Sequence, residues 1–219
     1  MTAQLITLTD AQSPRAEAFR SLRTNLDFYS LENPLHTLLI TSAEPDEDKT
    51  TVLANLGVIS AQGGKKVILV DADMRLPRLH TLFGLKNERG LSTALTSKQD
   101  ELPILDTEIP NLRVLPAGPS PVNPADLLAS GRMNQVIEAL KSQADVVLFD
   151  APPLIAVTDG ALLAARVDGV LLVARAGRTK REFVTRAKDV LSKVKANLVG
   201  SVLTNAALER GVYTYYGKK

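Results

Sequence analysis

The chain has 219 residues, 45% hydrophobic and 23% charged, which suits one globular domain with a sizeable core and excludes a disordered chain. There is no cysteine and the histidines are His36 and His80 alone, which excludes disulfides and thiolate chemistry, argues against an all-protein zinc site and fits a reducing cytoplasm. With 26 basic and 24 acidic residues the formal net charge is +2, too small a field to gather nucleic acid, and no apolar run approaches the ~18 residues that span a bilayer. The opening MTAQLITLTD has no basic stretch followed by an apolar one, so a secretory leader is not expected and the chain reads as soluble.

In chain order, Ser13-Pro14 reads as a cap followed by proline at the first helical position. Ala16, Phe19, Leu22 and Leu26 follow at helical spacing, predicting a helix over 14–29 packed outside the sheet. Apolar, β-branched runs then recur as LLIT (38–41), KVILVDAD (66–73), LRVLPAG (112–118), DVVLFDAPP (145–153), DGVLLVARAG (168–177) and LVGSVLTN (198–205). Runs apolar on both faces predict buried parallel strands. Helices are expected at 50–62, 133–142, 159–166 and 180–194, at the spacing of βαβ crossovers. The expected fold is a doubly wound α/β sheet, mostly parallel and flanked by helices. Residues 1–209 read as one domain and 210–219 as a flexible tail.

Three segments carry chemistry. The first strand runs into TSAEPDEDKTT (41–51), with a helix starting near Thr50. A strand-to-helix turn of this kind points backbone N–H groups and a helix N-terminus at phosphate oxygens. Lys49 would reach the β- and γ-phosphates and the Thr50 hydroxyl would ligate Mg²⁺. Yet the pattern G-x-x-x-x-G-K-[ST] becomes Ala43-x-x-x-x-Asp48-Lys49-Thr50, and taken alone an acidic capped turn before an ordinary helix accounts for it better. The second strand ends in Asp71 and Asp73, which alternation turns to one side at the carboxyl edge where α/β sheets bind ligands. The strand VVLFD ends in Asp150, placed to hold Mg²⁺ through water. Each feature is weak alone; three in order at the carboxyl ends of different strands are strong.

The chain here resembles the bacterial tyrosine kinases that accompany capsule and exopolysaccharide synthesis. Their signature joins a Walker A loop to an apolar run ending D-x-D-x-R and another ending D-x-P-P, present intact as ILVDADMR (68–75) and VVLFDAPP (146–153). LFGLKNERGLSTAL (82–95), LPAGPSPVNPADLLAS (115–130) and VDGVLLVARAGRTKRE (167–182) extend the likeness over nearly the whole chain. Glu17-x-x-Arg20-x-x-Arg23 matches the family's ring-forming E-x-x-R-x-x-R pattern, although spacing alone fits a solvated charged face at least as well. Three of the four tyrosines, Tyr213, Tyr215 and Tyr216, fall in the last seven residues, and the resemblance implies that they are autophosphorylation acceptors. It further implies ATP and Mg²⁺ as cofactors, with nucleotide contacts from Pro45, Asp46, Glu47, Asp48, Lys49, Thr50 and Thr51 and, at the adenine, from Asn205 and Arg210. Arg75 would meet phosphate charge, with pairing to Asp73 or a backbone carbonyl as the structural alternative. His80 is expected to pack or cap. The implied partners are further copies of the chain in a ring, the cytoplasmic tail of a transmembrane polysaccharide co-polymerase that holds the kinase at the inner membrane face, and a protein-tyrosine phosphatase.

In the kinase reading Lys49 neutralises phosphate, Thr50, Asp71 and Asp150 organise the metal, and Asp71 takes or orients the tyrosine proton, with Asp73 and Arg75 beside it. Glu44, Asp46, Glu47 and Asp48 oppose this, since at ~6 Å and an effective dielectric near 20 one carboxylate repels each unit of phosphate charge by ~3 kcal/mol before screening. Aspartate at 48 also carries a Cβ where glycine would let the backbone approach phosphate. Two arrangements are open: the acids point to solvent and the N–H cradle survives as a slow kinase, or ATP binding is lost or weakened and the chain is a pseudokinase scaffold. A partition-type ATPase switch is a further alternative.

Overall fold

The computed structural model describes residues 5–97 and 101–207. A one-turn helix α1 (Ile6–Thr9) and the long α2 (Pro14–Glu32) precede β1 (Thr37–Ser42), α3 (Lys49–Gln62) and β2 (Val67–Asp71). The short helices α4 (Leu79–Leu82) and α5 (Leu91–Thr96) lead to β3 (Leu105–Asp106) and β4 (Leu112–Leu115). Then come α6 (Pro124–Ala129), α7 (Gly131–Lys141), β5 (Val146–Asp150), α8 (Asp159–Ala164), β6 (Gly169–Arg175), α9 (Arg181–Lys193) and β7 (Leu198–Thr204).

Among the described residues seven strands form one sheet in the order β3-β4-β2-β5-β1-β6-β7. Every pairing is parallel except β3 against β4. The predicted mostly parallel α/β sheet is therefore present. Strand alternation sorts its side chains into two layers. Ile68 and Val70 of β2 join Val147 and Phe149 of β5 in a core closed by α5 to α9, while Val67 and Leu69 join Leu38 and Ile40 in a core closed by α3. Fully burying a side chain such as Leu69 stabilises the fold by about 1.5–3 kcal/mol.

Helix α3 is apolar nearly all round because it is covered nearly all round, by the sheet on one side and by α1 and α2 on the other. Gly57 sets its approach: a Cβ there would meet Leu69 Cδ2 at 2.6 Å. Asn55, fully buried in α3, accepts hydrogen bonds from Thr7 N and Oγ1 at 3.1 and 2.9 Å and so ties α1 down.

The long elements follow their sequence signals within a few residues. Ser13 Oγ accepts from Ala16 N at 3.2 Å, the expected cap of α2, which runs on to Glu32 before Asn33-Pro34 ends it. The elements not anticipated are β3, with two residues, and α1, α4, α5 and α6, with four to six, too few to show a period. The strand order positions the site. Strands β2, β5 and β1 lie side by side although far apart in the chain, so Asp71, Asp150 and the loop after Ser42 meet at one carboxyl edge.

Candidate functional site

The loop between β1 and α3 turns through two left-handed residues, Asp46 at φ 60° and Asp48 at φ 65°. This is backbone that glycine adopts without strain, and aspartate is among the few other residues that visit it. Asp48 stands at the N-cap without a side-chain cap bond, and the helix starts at Lys49. Its first N–H groups lack intrahelical acceptors, as at any helix start, and the aligned peptide dipoles make this end electropositive.

Lys49 does not reach out of the site. Its Nζ lies 3.0 Å from Asp73 Oδ2 and 3.0 Å from Asp150 Oδ1, and its side chain is largely buried. Burial alone would lower the pKa of this ammonium, but Asp150 and Asp73 outweigh it and raise the pKa. Thr50 Oγ1 donates to Asp150 Oδ2 at 2.6 Å. Burial raises the pKa of Asp150, opposed by Lys49 and by the Thr50 bond. Asp71 Oδ2 accepts from Arg78 N and Leu79 N, both at 2.9 Å, whereas its Oδ1 is buried with no hydrogen-bond partner. Burial and then repulsion from Asp150 push the Asp71 carboxyl up to about 8. Asp73, past the strand end, accepts from Leu76 N at 3.1 Å. The chain thus brings Lys49, Thr50, Asp71, Asp73 and Asp150 into one cluster.

Asp46 and Asp48 take the outward arrangement that the sequence leaves open rather than forming a repulsive quartet with Glu44 and Glu47. Asp46 and Asp48 are exposed and meet cations: Arg178 at 3.4 Å and Arg78 at 3.7 Å for Asp46, and Arg175 at 3.6 Å for Asp48. Such exposed pairs are each worth little, but they offset local charge that would otherwise face an arriving anion. Glu47 is buried beneath the loop, where it accepts from Ala43 N and Glu44 N. Pro45 and Thr51 are exposed on either side. Arg75 pairs neither with Asp73 nor with a carbonyl. Its Nε and Nη2 donate to the two oxygens of Asp159 at 2.9 and 3.0 Å, and Asp159 is fully buried at the start of α8.

Farther off, Asn205 is exposed at φ 53° just after β7. Arg210 and the tyrosines Tyr213, Tyr215 and Tyr216 lie outside the described residues. In α2 the Glu17 and Arg20 side chains pair with each other at 2.8 Å on a part-exposed face. Arg23 turns inward instead and donates from Nη1 to Ile59 O near the end of α3 at 3.1 Å. His80 lies 3.1 Å from the Thr81 hydroxyl, and its Nδ1 is buried without a partner. Sequence reasoning missed Asp159, Thr179 and the three arginines facing the loop. No local signal marks them, because each meets its partner only through the fold.

The donor set fits a hard divalent cation. Thr50 Oγ1, Asp150 and the orphaned Asp71 Oδ1 supply oxygen only, which is what Mg²⁺ takes. Among the described residues no three acidic or histidine side chains close into a complete metal cage. Magnesium seldom uses one, since it keeps waters and shares phosphate oxygens.

The sequence pattern of the AAA domain family matches residues 47–200. The chain is 39% identical over 221 residues to tyrosine-protein kinase YwqD of Bacillus subtilis, covering all of this chain and 93% of that one. It is 36% identical over 210 residues to the putative tyrosine-protein kinase CapB of Staphylococcus aureus, covering 94% of this chain and 92% of the other. Among solved structures it is similar to the kinase domain of Escherichia coli tyrosine kinase ETK, with TM-score 0.90 and 34% identity over 96% of this chain and 83% of that one. No described helix is long and apolar enough to cross a membrane.

Proposed function

Because the chain belongs to the bacterial tyrosine kinases, built on a P-loop AAA domain, we propose that it is an ATP-dependent autokinase that phosphorylates its own tyrosine tail. The observation that carries this reading is Lys49, largely buried between Asp73 and Asp150 at the start of α3, with Thr50 on the same aspartate.

Phosphoryl transfer needs positioning and charge stabilisation more than covalent help from the protein. The α3 N-terminus would receive the β- and γ-phosphates, and Lys49 would move from its aspartates onto them. Thr50, Asp150 and Asp71 Oδ1 are the residues that would hold Mg²⁺, which supplies charge neutralisation and orders the phosphates. Asp71, at the same carboxyl edge with its Oδ1 unpartnered, is placed to take or orient the proton of an incoming tyrosine. Arg75, clamped by Asp159, holds the turn after Asp73 against the start of α8. Asn205 and Arg210 are assigned to the adenine.

The acceptors in this reading are Tyr213, Tyr215 and Tyr216, in a tail at 210–219 following a single domain. They would be presented by a neighbouring copy in a ring joined through Glu17 and Arg20, with Arg23 bracing α2 against α3 of its own chain. A membrane-anchored activator of polysaccharide export would hold the ring at the inner face of the membrane, and a protein-tyrosine phosphatase would reset it. The role is control of capsular or exopolysaccharide synthesis.

Incubation with Mg·ATP followed by phosphotyrosine detection tests this. Phosphotyrosine is expected in the tail and should disappear in Lys49→Met and when the three tail tyrosines become phenylalanine. ADP without phosphotyrosine would identify a partition-type switch. Neither product would identify a scaffold, the reading that aspartates at 46 and 48 favour.

A further inference from the structure

Glu47 does not behave like the acids on either side of it. Asp46 and Asp48 are exposed, whereas Glu47 is 1% exposed, an environment that is costly for a carboxylate unless hydrogen bonds satisfy it. Three donors do so. Oε2 accepts from Ala43 N at 2.9 Å and from Glu44 N at 3.2 Å, and Oε1 accepts from the Thr179 hydroxyl. Thr179 Oγ1 in turn accepts from Arg175 N at 2.8 Å, and the Glu47 carbonyl accepts from Thr204 Oγ1 at 3.3 Å. One side chain therefore joins the first residues of the phosphate loop to the turn between β6 and α9, while its main chain is held by the end of β7.

The backbone gives this arrangement its purpose. A loop with glycines at 46 and 48 reaches its left-handed turns freely, whereas here both turns carry side chains and must be held against the cost of that conformation. We propose that Glu47 is a positioning residue for the phosphate cradle: its buried carboxylate, tied to Ala43, Glu44 and Thr179, holds the loop in the shape from which the start of α3 receives the nucleotide phosphates. This rests on the nucleotide-binding reading above. It assigns Glu47 a sign opposite to that of a plain negative charge near a polyanion. If the residue acted only by repulsion, deleting the carboxylate would tighten Mg·ATP binding; as the post that shapes the loop, deleting it loosens binding.

The test compares Glu47→Ala, Glu47→Gln and Thr179→Val for Mg·ATP affinity by calorimetry, in the parent and with Asp46 and Asp48 both replaced by glycine. Hydrogen exchange at the Ala43 and Glu44 amides is followed alongside. Glu47→Ala is expected to weaken binding about tenfold or more although it removes a negative charge, because the buried Ala43 N–H and the part-buried Glu44 N–H lose their acceptor. Glu47→Gln keeps an oxygen for those groups and should stay within about threefold of the parent. Thr179→Val should weaken binding less than Glu47→Ala and add little to it, as expected of residues acting through one contact. Amide exchange at Ala43 and Glu44 should quicken in Glu47→Ala and not in Glu47→Gln.

Binding by Glu47→Ala as tight as the parent's, or equal damage from Ala and Gln, would overturn the proposal. If no protein binds nucleotide, including the double-glycine variant, the nucleotide reading fails, and the exchange rates still decide whether Glu47 holds the loop. If Glu47→Ala does not fold, Thr179→Val carries the test, and unchanged affinity together with unchanged exchange in that variant would overturn the proposal.

Discussion

Asp71 and Asp150 are direct register partners at the ends of neighbouring strands β2 and β5, so two buried carboxylates stand side by side at one edge of the sheet. Lys49 is bonded to Asp150 and Asp73 but not to Asp71, whose Oδ1 has no partner. Desolvation and the neighbouring Asp150 therefore push the Asp71 carboxyl up, with no direct ion pair to oppose them.

The first prediction concerns pH. The folded pKa of Asp71 is raised, so the protonated form is favoured by folding; this contribution is complete below the unfolded value of 3.8 and is lost as pH rises toward about 8. In metal-free buffer with chelator, Asp71→Asn should melt at a higher temperature than the parent at pH 8 to 9, by several °C or roughly that order. The difference should shrink toward pH 4. A pH-independent difference in melting temperature would show that Asp71 is not the group concerned.

The second prediction concerns the loop charges. Replacing Asp46 and Asp48 by glycine removes two negative charges and two left-handed side chains, so affinity for Mg·ATP should rise. Since Arg78, Arg175 and Arg178 already offset part of that charge, the rise should be about tenfold, or ~1.4 kcal/mol, rather than the full unscreened repulsion. Lys49→Met in the same background should abolish it. Equal affinity of parent and glycine variant by calorimetry would mean that the outward pairing leaves no penalty.

The third prediction separates the two members of the Arg75–Asp159 clamp by urea unfolding. Arg75→Ala leaves a fully buried carboxylate unmatched and should cost roughly 2–3 kcal/mol. Asp159→Asn leaves behind an arginine that is partly in water and should cost only about 1 kcal/mol. Equal costs would mean that Asp159 finds another cation when Arg75 is gone.

The fourth prediction concerns assembly. Glu17 and Arg20 pair within one chain on a part-exposed face, and Arg23 is engaged with α3. Glu17→Arg should break the pair and place like charges together, so the variant should sediment as a smaller species. An Arg23→Ala variant should instead lose thermal stability, because its guanidinium is turned to the body of the same chain. An unchanged size distribution for Glu17→Arg at equal concentration would return this face to ordinary solvated surface.

The elements that built the sheet were legible because each repeats a local pattern over enough residues: apolar runs at β1, β2, β5 and β6, and helical spacing in α2 and α9. The central site was legible for a related reason. An apolar strand that ends in aspartate marks its own carboxyl edge, so Asp71 and Asp150 could be placed from their neighbours alone. Arg75 could not, because its partner lies 84 residues away, and Glu47 could not, because Thr179 lies 132 residues away. The fold also decided how the acidic loop lies: side-chain charge is written in the sequence, but the direction in which each acid points is decided by backbone turns at Asp46 and Asp48 and by arginines after β2 and at and beyond the end of β6.

Those two turns have a consequence for heredity. The main chain at 46 and 48 already follows the left-handed path that a glycine would take, so exchanging either aspartate for glycine alters a side chain and leaves the course of the loop as it is. Aspartate and glycine codons differ by a single nucleotide. Each exchange is therefore open to an ordinary point mutation, in either order, with no requirement that a neighbouring residue change first. A population carrying this gene stands one short step from testing each glycine separately.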